Sequence, residues 1–195
     1  LETGFINEKA TPLWMRANQF GATPITGASF RATGRIAKDY HDLEWKRKDA
    51  PSVSRLWDWG FALEGRTNVG ANSNVQLIDA HVKGKFAMLE LKAGRSKDLM
   101  GLNGDSTLTS GNFAISGNAL GVPKVEISIP TFYRLPIFGG LFAIKGNYAV
   151  GYMGNMEMNP SAFRVKTEDH RVETYMHSNS IYGRIGKESW KLQLY

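Results

Sequence analysis

Between Trp57 and Thr67 the side chains alternate in character, with Trp57, Trp59, Phe61 and Leu63 at odd positions and Asp58, Glu64 and Arg66 at even ones. A period of two belongs to a β-strand, whose successive side chains point to opposite faces. A helix would scatter these residues around its circumference, whereas a strand sorts them into one oily and one ionic side. Any fold of this chain must find a setting for both sides at once.

The same dyad recurs along the sequence. Phe30, Ala32, Gly34 and Ile36 oppose Arg31, Thr33 and Arg35, and Leu13, Met15 and Ala17 oppose Trp14, Arg16 and Asn18, which predicts a first strand over 13–20. Ile78, Ala80 and Val82 oppose Asp79, His81 and Lys83, and Leu89, Leu91 and Ala93 oppose Glu90 and Lys92. Lys83-Gly84-Lys85 reads as the tight turn between them. Val125, Ile127 and Ile129 oppose Lys124, Glu126 and Ser128, and Phe142, Ile144, Tyr148 and Val150 oppose Lys145 and Asn147. Towards the end, Ile181, Gly183 and Ile185 oppose Tyr182 and Arg184, and Trp190, Leu192 and Leu194 oppose Lys191 and Gln193. About nine strands are predicted, all-β and antiparallel.

Two settings suit such ribbons. In a soluble sandwich the aromatic side is core; in an outer-membrane barrel it meets lipid, and the charged side lines a polar interior. No apolar run approaches the roughly 18 residues of a spanning helix, but barrel strands need only about ten residues of alternating character. Short turns at Gly84 and 187–189 contrast with long loops over 41–54 and 154–172, an asymmetry that barrels share, although loop 41–54 falls on the short-turn side by parity.

Across 195 residues the net charge is +6, which favours an acidic partner such as phospholipid, nucleic acid or an anionic glycan. With no cysteine there is neither a disulfide framework nor a thiolate metal site.

Residues Gly94 to Ile129 join two amphipathic strands through a Gly/Asn/Ser-rich excursion that still carries Leu99, Leu102, Leu108, Phe113, Ile115 and Leu120. Those apolar residues predict a segment docked against protein, a plug or folded-back loop. Gly94-Arg95, the Ser116-Gly117-Asn118-Ala119 element and Pro123 resemble the corresponding elements of the Wzi-type capsule-assembly proteins, which are outer-membrane β-barrels that bind surface polysaccharide. Pro12 to Gly21 is similar to that family's first strand, and Leu141 to Tyr152 to its apolar-x-Lys-Gly strand. Where close relatives carry Trp-rich sequence after Gly-Arg, this chain has Ser96, Lys97 and Asp98.

The resemblance implies that residues 1–195 form one domain, the N-terminal part of a larger transmembrane β-barrel in the outer membrane of a Gram-negative bacterium. The implied role is non-catalytic and lectin-like, helping to attach or assemble capsular polysaccharide at the cell surface without a cofactor. Surface polysaccharide, outer-membrane lipid and other envelope proteins would be its partners, and nucleic acid would not. Alternatives are a porin, a structural envelope subunit, a barrel-embedded hydrolase and a soluble sandwich. Sugar rings stack on aromatic planes while their hydroxyls take hydrogen bonds from Arg, Lys and Asn. On that chemistry the candidate contacts are Trp14, Arg16, Arg31, Arg35, Arg95, Asn118, Lys124, Tyr133, Lys145 and Arg184.

Catalytic signatures are weak. Gly60 to Thr67 approaches a phosphate-binding loop but has Arg66 where that motif needs lysine, and its alternation makes it a strand. His41, His81, His170 and His177 share no ligand spacing. Cross-strand ion pairs account for the carboxylates and cations on shared faces. The Trp45 to Lys48 cluster reads as a solvated basic loop.

Overall fold

The computed structural model describes residues 2–6, 11–21, 23, 29–41, 56–70, 73–97, 116–157, 171–187 and 190–194. Loop 42–55 with its basic cluster, excursion 98–115 with five of its apolar residues, and 158–170 with His170 lie outside the described residues.

Among the described residues, nine antiparallel strands form one sheet in strict chain order. They are β1 (Glu2–Ile6), β2 (Ser29–Lys38), β3 (Trp57–Gly70), β4 (Asn74–Phe86), β5 (Leu89–Arg95), β6 (Lys124–Arg134), β7 (Phe142–Glu157), β8 (Arg171–Lys187) and β9 (Trp190–Leu194). The sheet is open, with β1 and β9 as its two edges.

Burial divides the sheet in the opposite sense to a soluble core. On β3 Trp57 is 66% exposed and Trp59 49%, while Arg66 and Asn68 on the other face are 3% and 1% exposed. Register carries this sorting from strand to strand. Arg35 pairs with Glu64 and Thr33 with Arg66 on the polar side, while Leu91 pairs with Ile127 and Ile127 with Tyr148 on the apolar side. Asp79, Lys85, Glu90, Glu126 and Ser128 are buried, whereas Val82, Leu91, Val125 and Ile127 are exposed, and Ile181 reaches 81%. No second described layer covers the apolar side.

Residues 18–21 lie over the long-connection end of the polar face, where Arg66 of β3 reaches the Gly21 carbonyl. Residues 11–21 contain one helical turn, α1 (Leu13–Arg16), closed by the Ala17 N–H donating to the Leu13 carbonyl at 2.9 Å. The predicted strand over 13–20 is therefore absent, and the first strand is Glu2–Ile6. Asn18, Phe20 and Gly21 all have positive φ, at 56°, 49° and 73°, which an extended strand does not tolerate.

Two further expectations are corrected. The turn read at Gly84 lies at residues 87–88, where Ala87 takes φ 50° and Phe86 pairs with Leu89; Gly84 sits inside β4, paired with Trp59 and Leu91. Ile78 does not share the exposure of Val82. A bulge shifts the register between Glu64 and Gly65, so that Glu64 pairs with Asp79, Gly65 with Leu77, and Ile78 is skipped and fully buried.

Connections 7–28, 96–123 and 158–170 share one end of the sheet with the short 71–73, while 39–56, 87–88, 135–141 and 188–189 share the other. Length thus separates the two rims, with 39–56 and 71–73 as the exceptions.

Candidate functional site

The polar face holds three clusters of charged side chains. At the rim of long connections, residues 18–21 and 116–120 meet. The Phe20 N–H donates to the Gly117 carbonyl at 2.7 Å, and the Asn18 N–H to Asn118 Oδ1 at 2.8 Å. Asn118 itself sits in a turn in which the Ala119 N–H donates to the Ser116 carbonyl. Arg66 reaches up from β3 to the Gly21 carbonyl at 3.1 Å and also donates to Gln76 Oε1 and Asn74 Oδ1. A Cβ on Gly21 would crowd Leu120, and its φ of 73° favours glycine in any case.

Beneath residues 18–20 lies a cavity of about 200 Å³ whose wall is formed by Arg31, Thr33, Glu64 and Lys97. Lys97 donates to Glu64 Oε2 at 2.6 Å, and Arg35 Nε lies 3.4 Å from the same carboxylate oxygen. Arg31 donates through Nη1 to Thr23 Oγ1 at 2.7 Å.

A second cluster lies near the short-turn rim of β2 to β5. Tyr40 donates to Glu90 Oε2 at 3.0 Å, with the ammonium groups of Lys83 and Lys85 over its ring. Burial, reinforced by the Glu90 carboxylate, pushes the Tyr40 phenol well above its ordinary value. Lys83 also pairs with Asp39, and Asp58 accepts from the His41 N–H at 2.6 Å.

The third cluster, on β6 to β8, is basic and aromatic. The Arg184 guanidinium stacks 3.8 Å from the Phe132 ring centroid, and Lys145 lies 5.4 Å from that of Tyr182. Between the clusters, Lys124 donates to Glu126 at 2.6 Å and Lys92 approaches the same carboxylate at 3.5 Å.

The structure thus disperses the sequence-predicted contacts. Arg31 and Arg35 belong to the first cluster, with Asn118 holding the segment above them. Lys145 and Arg184 form the third cluster, and Lys124 sits in the central ion pair. Arg95 donates to the Leu77 carbonyl in register with Ala80, and Tyr133 is exposed in the apolar row opposite Ile144. Trp14 projects from α1, strongly exposed, and the Arg16 side chain lies outside the described atoms. Lys97, Thr33 and residues 18–20 escaped the sequence reading, since no spacing links segments so far apart in the chain.

Among the described residues, no three His, Cys, Asp or Glu side chains gather as a metal site. His81 faces Asp79 at 2.6 Å, and His177 faces the Tyr148 hydroxyl at 3.2 Å. Gly60 to Thr67 lies within β3, so its glycines serve a strand. Comparison with known protein families, curated proteins and solved structures returns no match to this chain.

Proposed function

We propose that the chain is part of an outer-membrane β-barrel that binds surface polysaccharide in a lectin-like, non-catalytic manner. The observation that carries the reading is the inverted burial of the sheet, in which the ionic face is covered and the apolar face is bare. Apolar surface in water costs about 25 cal/mol per Å², and contiguous bare patches beyond a few hundred Å² mark contact with something apolar. Lipid suits an apolar face that runs over β3 to β8, interrupted on β8 by His177 and Asn179.

Details at the rims favour the same setting. Lys38 bends over the exposed Trp59 ring at 3.8 Å from its centroid and donates to the Trp59 carbonyl, so that its stem covers an indole while its charge stays near the strand end. Towards the opposite rim, the exposed Tyr152 and Tyr175 rings pack 5.4 Å apart. Amphipathic aromatic side chains of this kind suit the two water interfaces of a bilayer. In a barrel with these faces the longer connections would point outward, which puts the covered cavity on the side where surface glycan is met.

Residues 18–21, held by Gly117 and Asn118 over one end of the polar face, support a partly filled interior over an open diffusion pore. Glycan binding is supported by the mixture of guanidinium, ammonium, amide and aromatic groups on that face, and a repeating polymer adds weak contacts by multivalency. The test is extraction of the expressed chain from membranes, followed by retention of labelled capsular polysaccharide on the detergent-folded protein. Release of the protein by salt or carbonate alone, without detergent, would refute the membrane reading. Ion conductance in planar bilayers without glycan retention would favour a porin.

A further inference from the structure

The cavity under residues 18–20 brings three kinds of chemistry together. Arg31 is a planar fork with five N–H donors, of which Nη1 engages Thr23. Lys97 and Glu64 form a 2.6 Å pair that offers both a donor and an acceptor, and Arg35 shares the same carboxylate. Phe20 lines the cavity beside Asn18 and Gln19.

We propose that this cavity is a subsite for a single anionic sugar, a hexuronate residue of a surface polysaccharide; the inference rests on the glycan reading above and assigns it a place. The volume of about 200 Å³ is small for a drug-sized ligand and of the order of one pyranose ring. Charge selects the acidic sugar. The lining carries two cations and one carboxylate, and that carboxylate is already divided between Lys97 and Arg35. A ligand carboxylate beside Arg31 supplies the missing negative charge through charge-assisted hydrogen bonds, for which a guanidinium is shaped. Ring hydroxyls exchange hydrogen bonds with Thr33, Gln19 and the Lys97–Glu64 pair, and the C–H face of the ring packs on Phe20. The subsite is composite: without the segment held by Asn118 it has a wall and no roof.

The full chain, folded in detergent micelles, is titrated calorimetrically with a tetrasaccharide of alternating hexose and hexuronate, and with the same tetrasaccharide after reduction of its carboxyl groups to alcohols. The acidic form is expected to bind at least about tenfold more tightly than the reduced form. Arg31→Gln, which removes the charge, and Thr33→Tyr, which fills the space, are each expected to weaken the acidic form by about tenfold or more. The charge-matched change Arg171→Gln on the exposed start of β8 leaves it unchanged. Equal affinity for the two tetrasaccharides overturns the anionic assignment without recourse to any variant. Full affinity in both Arg31→Gln and Thr33→Tyr overturns the subsite while leaving the lectin reading in place, and absence of binding to both forms by the folded native chain removes both.

Discussion

Glu64 is the residue on which the first cluster balances. Its buried carboxylate accepts from Lys97 and faces Arg35, with Arg66 next in register but one on the same strand face. Glu64→Gln keeps the shape and removes the charge, leaving cations without their counter-ion. Because Lys97 and Arg35 keep contact with solvent, the expected loss is about 1–3 kcal/mol, less than for a fully buried pair, measured by chemical unfolding in detergent. Gly94→Ala is expected to be harsher than an ordinary surface change. Its φ of 122° suits glycine, and an added Cβ would strike the Ala80 carbonyl oxygen. A lower yield of folded protein in circular dichroism is the outcome to look for. Tyr40 gives a pH signature. Its phenol stays protonated in the folded state above the ordinary 10.0 at which the unfolded chain titrates, so its contribution is intact below about pH 10 and declines as pH climbs past that value. In Tyr40→Phe the melting temperature is expected to be lower at neutral pH and to fall less steeply between pH 9 and 11.

Among the elements, strands were legible because they repeat one rule, and the segments over the polar face were not because they follow none. The alternation of 57–67, 124–129 and 142–150 depends on local chemistry alone, and each became a strand with the faces that its residues required. Leu13 to Ala17 alternates as well, but Asn18 and Phe20 adopt positive φ to meet Gly117 and Asn118, contacts that no short window reveals. Ala87 made an unmarked turn, whereas Gly84 looked like one and was strand. Of the first cluster, the strand cations Arg31 and Arg35 could be read from their polar face, but Lys97 lay just past a strand end and its partner Glu64 two strands away in register. Asn118→Ala removes the acceptor for the Asn18 N–H and is expected to loosen residues 18–21, raising amide exchange there by about tenfold, while Asn118→Asp, which keeps an acceptor oxygen, restores protection.

For the whole molecule, the burial of the ionic face and the exposure of the apolar one decide behaviour in solution. The chain is expected to precipitate on dilution from detergent and to stay dispersed in micelles, which light scattering measures directly. With net charge +6, binding of an acidic polysaccharide is expected to weaken between low and high salt, since screening shortens the reach of exposed charges from about 30 Å at 0.01 M to about 8 Å at 0.15 M. Retention that ignores salt would show that hydroxyl contacts, not charge, hold the polymer.

Strict chain order in the sheet has one more effect. Each strand is laid against the one made just before it, so growth needs no threading and no strand waits for a distant mate. A sheet assembled in this way is modular: a hairpin such as β4–β5 could be copied or removed by a genetic event, and the remainder would still close ranks in the same sequence.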